Sequence, residues 1–192
     1  MPNGSVSAST TLPPATIFMG FLLASGGAIA AVFVFQFGFG LQPCILCVWQ
    51  RLPHAIAILL SGFGIGQARS IDPIRHPFRA VPWKTFTVLA ILLIVDHLAN
   101  VGIAAFHVGV EQHWWAGTEA CTGGAPTGLT ADQLSAQLLQ TPVARCDQIA
   151  WSLFGISMAG YNFLLSLALA AAGLWAFLCF NTARKRALHA TA

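Results

Sequence analysis

Four apolar runs, each roughly twenty residues long or longer, divide this chain and leave it few ways to fold. They lie at about residues 15–39, 48–66, 83–106 and 156–180. At about 1.5 Å per residue, each matches or approaches the ~30 Å hydrocarbon thickness of a bilayer. The first carries no charge at all. Only 8% of the 192 residues are charged, whereas a soluble domain carries about 25%. So few charges cannot cover a water-facing surface, and the chain reads as an integral membrane protein, a bundle of four transmembrane helices. A net charge of +3 is too small and too localised to suggest nucleic acid.

A cleaved signal peptide is the rival reading of the first run. Against it, residues 1–14 hold no Lys or Arg, and the run exceeds the usual h-region of about 7–15 residues. Trp83 and Trp151 lie near span ends, where indole rings favour the interface. Gly62, Gly64 and Gly66 end the second run with small residues suited to close helix packing.

Loop charges orient the spans. Arg69, Arg75, Arg79 and Lys84 lie between or beside spans two and three, and Arg184, Lys185 and Arg186 follow span four. The first loop, 40–47, is uncharged. The third, 107–155, has Arg145 as its one Lys or Arg, against Glu111, Glu119, Asp132 and Asp147. The excess of cations on one side predicts cytoplasmic termini, with loops 40–47 and 107–155 on the opposite face, in a bacterium the periplasm. The long third loop reads as mobile in its Gly- and Thr-rich part. Thr130-Ala131-Asp132-Gln133 is a capping-box pattern ahead of Leu134, Leu138 and Leu139. That pattern predicts a short amphipathic helix, resting on the membrane surface or packed on the bundle.

The cysteines carry the chemistry. There are five: Cys44, Cys47, Cys121, Cys146 and Cys179. Two pairs and a remainder suit two disulfides and one buried thiol, and both candidate pairs fall on the oxidising side. Cys44 and Cys47 form a Cys-x-x-Cys motif, typical of exchanging disulfides. A four-cysteine zinc site needs a second tight knuckle, yet Cys121 and Cys146 are twenty-five residues apart. Haem attachment needs His at position 48, which is Val. For the wide pair, a structural staple of the loop and an exchanging disulfide are equally open on the residues alone. Cys121, in a Gly-rich stretch, reads as the accessible sulfur. Cys47 lies at a helix start with Arg51 one turn deeper on the same face, which predicts a Cys47 thiolate.

These residues resemble the bacterial disulfide bond formation protein B (DsbB) family across nearly the whole chain. The likeness rests on the four spans, on Pro43-Cys44-Ile45-Leu46-Cys47 with Gln50-Arg51, and on His107-Val108-Gly109-Val110-Glu111. It is strengthened by Cys146-Asp147 and by the block from Trp151 to Asn162. The resemblance implies an inner-membrane enzyme that reoxidises a periplasmic thiol oxidase of the DsbA type, a thioredoxin-fold partner. It implies that the Cys121–Cys146 disulfide accepts the partner's electrons, with Cys121 forming the mixed disulfide. Cys44–Cys47 then passes them to ubiquinone or menaquinone beside Cys47, Arg51 and His107.

Other residues have blander readings beside sharper ones. Arg51 alone would snorkel to the interface. His107 alone would be a hydrogen-bonded interfacial group. Asp96 and His97, near the middle of span three, are either a neutral or paired buried set or part of a proton path. His54 and His113 have no assigned role, and Cys179 reads as an inert buried thiol. Glu111, His113 and His107 have poor spacing for a metal site, so no metal is expected. Two other classes compete with the oxidase: a membrane metal-binding or transport protein with cysteine ligands, and an assembly subunit with structural disulfides.

Overall fold

The computed structural model describes residues 12–70, 82–122 and 144–190. Four of its helices are long and apolar enough to cross a membrane. The chain is an all-α, multi-pass membrane protein built as a four-helix bundle. The amphipathic helix expected near residues 130–139 lies outside the described residues, as do Arg75 and Arg79.

Helix α1 spans Pro14–Phe33, with proline in its first turn, where a missing N–H costs nothing. It runs on into a π-helical turn, Val34–Gly38. Helix α2 spans Ile45–Arg69 and starts ahead of the apolar run that begins near residue 48. The cause is local: Cys44 has extended backbone, and its sulfur accepts the Cys47 N–H at 3.2 Å. The cysteine is therefore the cap of the helix. Pro53, inside α2, has no N–H to offer the carbonyl one turn back.

Helix α3, Trp83–Glu111, continues five residues past the expected end at residue 106. It closes with two reversed hydrogen bonds, Trp114 N–H to the Gly109 carbonyl at 2.9 Å and His113 N–H to that of Val110 at 3.1 Å. His113 takes the left-handed conformation, φ 59°, that this ending needs. The four-residue α4, Glu119–Thr122, precedes the undescribed part of the third loop. Helix α5 spans Met158–Ala190.

A small hairpin departs from the all-helical plan. Strands β1, Ser152–Leu153, and β2, Ile156–Ser157, pair antiparallel. Phe154 and Gly155 form the turn with φ of 51° and 77°, the doubly positive geometry of a two-residue hairpin. The hairpin takes residues 156–157 from the expected start of the last span.

Helix α1 packs on α2, α2 on α3, and α3 on α5. Phe18, Phe86 and Phe180 meet with centroids 5.6–5.7 Å apart and anchor the core distant from Cys44. Of the three glycines ending α2, Gly64 faces Phe18, while Gly62 and Gly66 face open space. Leu23, Leu59 and Val95 stay mostly exposed on the outside, a surface suited to lipid.

Candidate active site

Cys44, Val110, Cys121 and Cys146 form one buried cluster, with Leu46, Cys47 and Phe106 packed against it. The fold thus brings both cysteine pairs together. Cys121 and Cys146 are joined as a disulfide, with Cα atoms 5.0 Å apart, whereas Cys44 and Cys47 are free thiols. Cys179 is also free.

Two expectations are corrected here. Cys121 is not an open sulfur: it is 1% exposed and Cys146 is 0%. The short α4 folds it inward, where Thr118 Oγ1 donates to its sulfur at 3.4 Å. Gly117 lies so close that a Cβ there would come within 2.9 Å of the Cys121 Cβ. Nor does the helix end favour a Cys47 thiolate. Cys44 is the cap, so the Cys47 N–H and the positive end of the helix dipole serve its sulfur.

Cys47 Sγ lies 2.7 Å from Cys44 Sγ, and His107 Nε2 lies 3.5 Å from it. The hydrogen bond from Cys47 holds the Cys44 thiol down, to about 4, against burial that pushes it up; His107 lowers it further.

A cavity of about 530 Å³ opens beside this pair. Val32, Leu41, Ile149, Trp151 and Leu165 contribute apolar wall, and Cys44, Cys47, Gln50, Arg51, His54 and His107 contribute sulfur and polar groups. This mix, largely apolar with a few convergent polar groups, is typical of a small-molecule site. Arg51 is fixed from two sides. It donates to Gln36 Oε1 at 2.8 Å, and its guanidinium sits 5.3 Å from the centre of the Phe33 ring. Gln36 belongs to the π turn of α1, so that irregular turn supplies the arginine's anchor.

The floor of the cavity is a polar chain through the bundle interior. Gln50 meets His107 Nδ1 at 2.8 Å, Asn162 donates to Gln50 Oε1 at 2.7 Å, and His54 Nε2 meets Asn162 Oδ1 at 2.8 Å. Asn100 donates to Ser166 Oγ at 2.9 Å. None of Asn100, Asn162 or Ser166 was singled out by sequence reasoning as a functional residue. A signal exists: Gln50 with His54, and Asn162 with Ser166, are polar residues four apart on one helical face. Glu111 is buried, bonded to the Ser157 hydroxyl of the hairpin, with its other oxygen 3.9 Å from His107 Nε2.

Deeper still, His97 is fully buried, stacked on Phe21 and 5.9 Å from the His54 ring. Both its nitrogens and Asp96 Oδ2 lack a hydrogen-bond partner among the described residues. His113, just past the α3 terminus, lines a second, smaller cavity with Val110, Cys121 and Asp147.

Among the described residues, Cys44, Cys47 and His107 bring three potential metal-ligating atoms within 4.8 Å of one another. The sulfur spacing argues against a metal. Two thiolates on tetrahedral zinc, each about 2.3 Å from it, stand about 3.8 Å apart. Sulfurs 2.7 Å apart are too close to share a tetrahedral zinc. The Cys121–Cys146 bond also removes the second half of a four-cysteine site.

Comparisons with known proteins identify the family. A family model described as Disulfide bond formation protein DsbB matches residues 14–176. A Disulfide bond formation protein B of Xanthomonas euvesicatoria is 28% identical over 91% of this chain and 94% of its own length. One from Xylella fastidiosa is 26% identical over 81% of this chain and 84% of its own. An uncharacterised protein of Rickettsia prowazekii, RP370, is 25% identical over 74% of this chain and 75% of its own. No solved structure gives a significant match.

Proposed function

The chain belongs to the DsbB family of disulfide bond formation proteins, and we propose that it oxidises a DsbA-type, thioredoxin-fold dithiol partner and delivers the electrons to membrane quinone. The observation that carries this reading is the burial of both cysteine pairs in one cluster at the wall of an apolar cavity. Electrons run in three balanced exchanges. The partner's two thiols become a disulfide as Cys121–Cys146 is reduced. That new dithiol is reoxidised as Cys44–Cys47 is reduced. The Cys44 and Cys47 dithiol then closes again, giving up two electrons and two protons.

A bound quinone supplies a lipid-soluble acceptor for those two electrons and two protons. The residues present fit it: the cavity wall is mainly apolar, and Arg51 offers a fixed charged donor suited to an oxygen gaining negative charge. Cys47, Arg51 and His107 would hold it. The chain's own residues prepare the sulfur. Cys47 and His107 hold the Cys44 thiol low, which suits it to leave when the Cys121 and Cys146 dithiol attacks the Cys44–Cys47 disulfide. Gln36 and Phe33 keep Arg51 from relaxing into water. Because Cys121 is buried, its sulfur must become exposed before a partner's thiol can reach it.

The same reading places the catalytic loops in the periplasm and both termini in the cytoplasm of the bacterial inner membrane. The support is the Arg and Lys excess around residues 69–84 and 184–186. The test is turnover of purified protein with a reduced DsbA-type partner and a ubiquinone analogue. Quinone reduction is expected in the parent and its complete loss after Cys47→Ser. Unimpaired turnover in that variant would sink the mechanism.

A further inference from the structure

We propose that the Ser152–Ser157 hairpin is a membrane-interface anchor, with Phe154 at its tip seated among phospholipids at the boundary between headgroups and acyl chains. Phe154 is badly placed for water. It is 89% exposed, more than any other large apolar side chain among the described residues. It also takes φ 51°, a conformation that the turn requires and that Asn or Gly adopts more readily than a bulky residue. Backbone and solvent both disfavour phenylalanine here, and the protein leaves its ring uncovered. Burial in a medium outside the chain offsets both costs.

The depth of the hairpin follows from its ties. Ser157 Oγ accepts the Gly160 N–H at 3.1 Å, so β2 runs straight into the cap of α5. The same hydroxyl donates to Glu111, the last residue of α3. The ends of two membrane-spanning helices therefore meet at the base of the hairpin. Tyr161, in the first turn of α5, donates its hydroxyl hydrogen to the Leu153 carbonyl at 3.0 Å and holds β1 beside the span. Trp151, just ahead of β1, packs on Tyr161 and on Phe35 of the π turn, with ring centroids 6.2 and 4.8 Å away. Trp and Tyr are the side chains that gather at the level of lipid headgroups, and these two flank the hairpin.

Charge selects lipid over protein as the occupant. No Asp, Glu, Lys or Arg occurs between Asp147 and Arg184. A protein-docking surface carries a polar rim around its apolar centre. This tip offers Leu153, Phe154, Gly155 and Ile156 instead, with Leu153 itself 46% exposed. Strand pairing and the Tyr161 bond satisfy backbone groups that lipid could not. Trp151 and Leu153 also belong to the wall of the large cavity, so the anchor holds that wall at the lipid boundary.

The test uses the full-length protein in phosphatidylethanolamine–phosphatidylglycerol nanodiscs, with 4-fluorophenylalanine incorporated at position 154 alone. The substitution is nearly isosteric, and its single fluorine resonance has no background from the other phenylalanines. A phospholipid carrying a nitroxide near the top of its acyl chain should broaden that line several-fold more than a gadolinium chelate in the water. Equal broadening by the two, or the reverse order, overturns the proposal. So does a line that the lipid label spares and that responds only to an added DsbA-type protein, which would make the tip a protein-docking site. Phe154→Asn gives a second measurement, because asparagine suits the left-handed turn but lacks the ring. Turn preference alone predicts slower hydrogen exchange at the amides of residues 152–157, whereas loss of an anchor predicts exchange several-fold faster. Slower or unchanged exchange in nanodiscs overturns the anchor. Neither measurement involves thiol exchange or quinone, so failure of the proposed oxidase activity would leave both results standing.

Discussion

The two ends of this bundle use the same helices differently. Around Gly64 and Phe180, α1, α2, α3 and α5 meet through aromatic rings in close contact: Phe18, Phe86 and Phe180 are each no more than 2% exposed. Around Cys44 they stand apart, enclosing about 530 Å³ of space, and the interior is threaded by amides, imidazoles and hydroxyls. About 30 Å of α2 separates Cys44 from Gly64. The difference teaches a division of labour. One end supplies packing that holds four helices in register. The other uses that register to align donors and acceptors that no single helix could align. Irregular backbone gathers at the second end: the π turn, the cysteine cap, the left-handed His113 and the hairpin turn.

The sharpest way to break the comparison is to titrate the open end. An ordinary thiol of pKa 9.0 is almost wholly protonated at pH 6, whereas Cys44 is drawn down to about 4. The reduced protein should therefore alkylate at Cys44 on the order of tenfold faster at pH 6 than an unperturbed thiol, the larger thiolate fraction being partly offset by weaker nucleophilicity. The sign for stability follows from the lowered value. The thiolate stabilises the fold fully above pH 9, less as the pH falls, and not at all below about 4. Alkylation mapped by mass spectrometry checks the first statement, and thermal midpoints against Cys44→Ser check the second. Loss of Cys44 reactivity at pH 7 would remove the special character of this end.

A smaller effect is expected at the arginine. Arg51→Leu removes a charged donor held by Gln36, an interaction worth about 1.5–3 kcal/mol when buried. The KM for a ubiquinone analogue should rise on the order of tenfold or more. Gln36→Leu should raise it several-fold by freeing the guanidinium. Thermal stability should change little in either variant, because neither side chain belongs to the aromatic core. An unchanged KM in both would separate Arg51 from the acceptor's site.

The spans were legible in the sequence because hydropathy accumulates over twenty residues and tolerates local error. The Cys44 and Cys47 motif was legible for its spacing. Which sulfur the helix end serves was not. That depended on whether the first turn begins before or after Cys47, a shift of three residues at an uncharged helix start. Burial of Cys121 was hidden for a related reason: its Gly-rich surroundings suggest mobility, but Gly117 is what lets α4 fold down against Val110. The chain from His107 to His54 joins four polar residues on three helices. Spacing within one helix marks such residues as facing the same way. Only the register between helices makes them partners, and the distant packing sets that register.

That last dependence yields the smallest effect and the most informative control. A methyl group at Gly64 would come within 2.7 Å of the Phe18 ring. Phe18 cannot step aside, because Phe86 and Phe180 each lie 5.7 Å from its ring centre. Gly64→Ala should therefore cost about 1–3 kcal/mol through overpacking, partly offset by alanine's helical preference of roughly 1 kcal/mol. Gly66→Ala meets nothing within 4 Å and should be neutral or slightly stabilising. Melting of the two variants in micelles measures the contrast. If the aromatic core only holds the helices together, Gly64→Ala should lower stability and leave the Cys44 alkylation profile alone. If it also fixes register, the profile should shift upward with the loss of stability, because Asn162 on α5 and Gln50 on α2 must stay aligned to 2.7 Å. A shift in Gly64→Ala and none in Gly66→Ala would show the closed end tuning the chemistry of the open one.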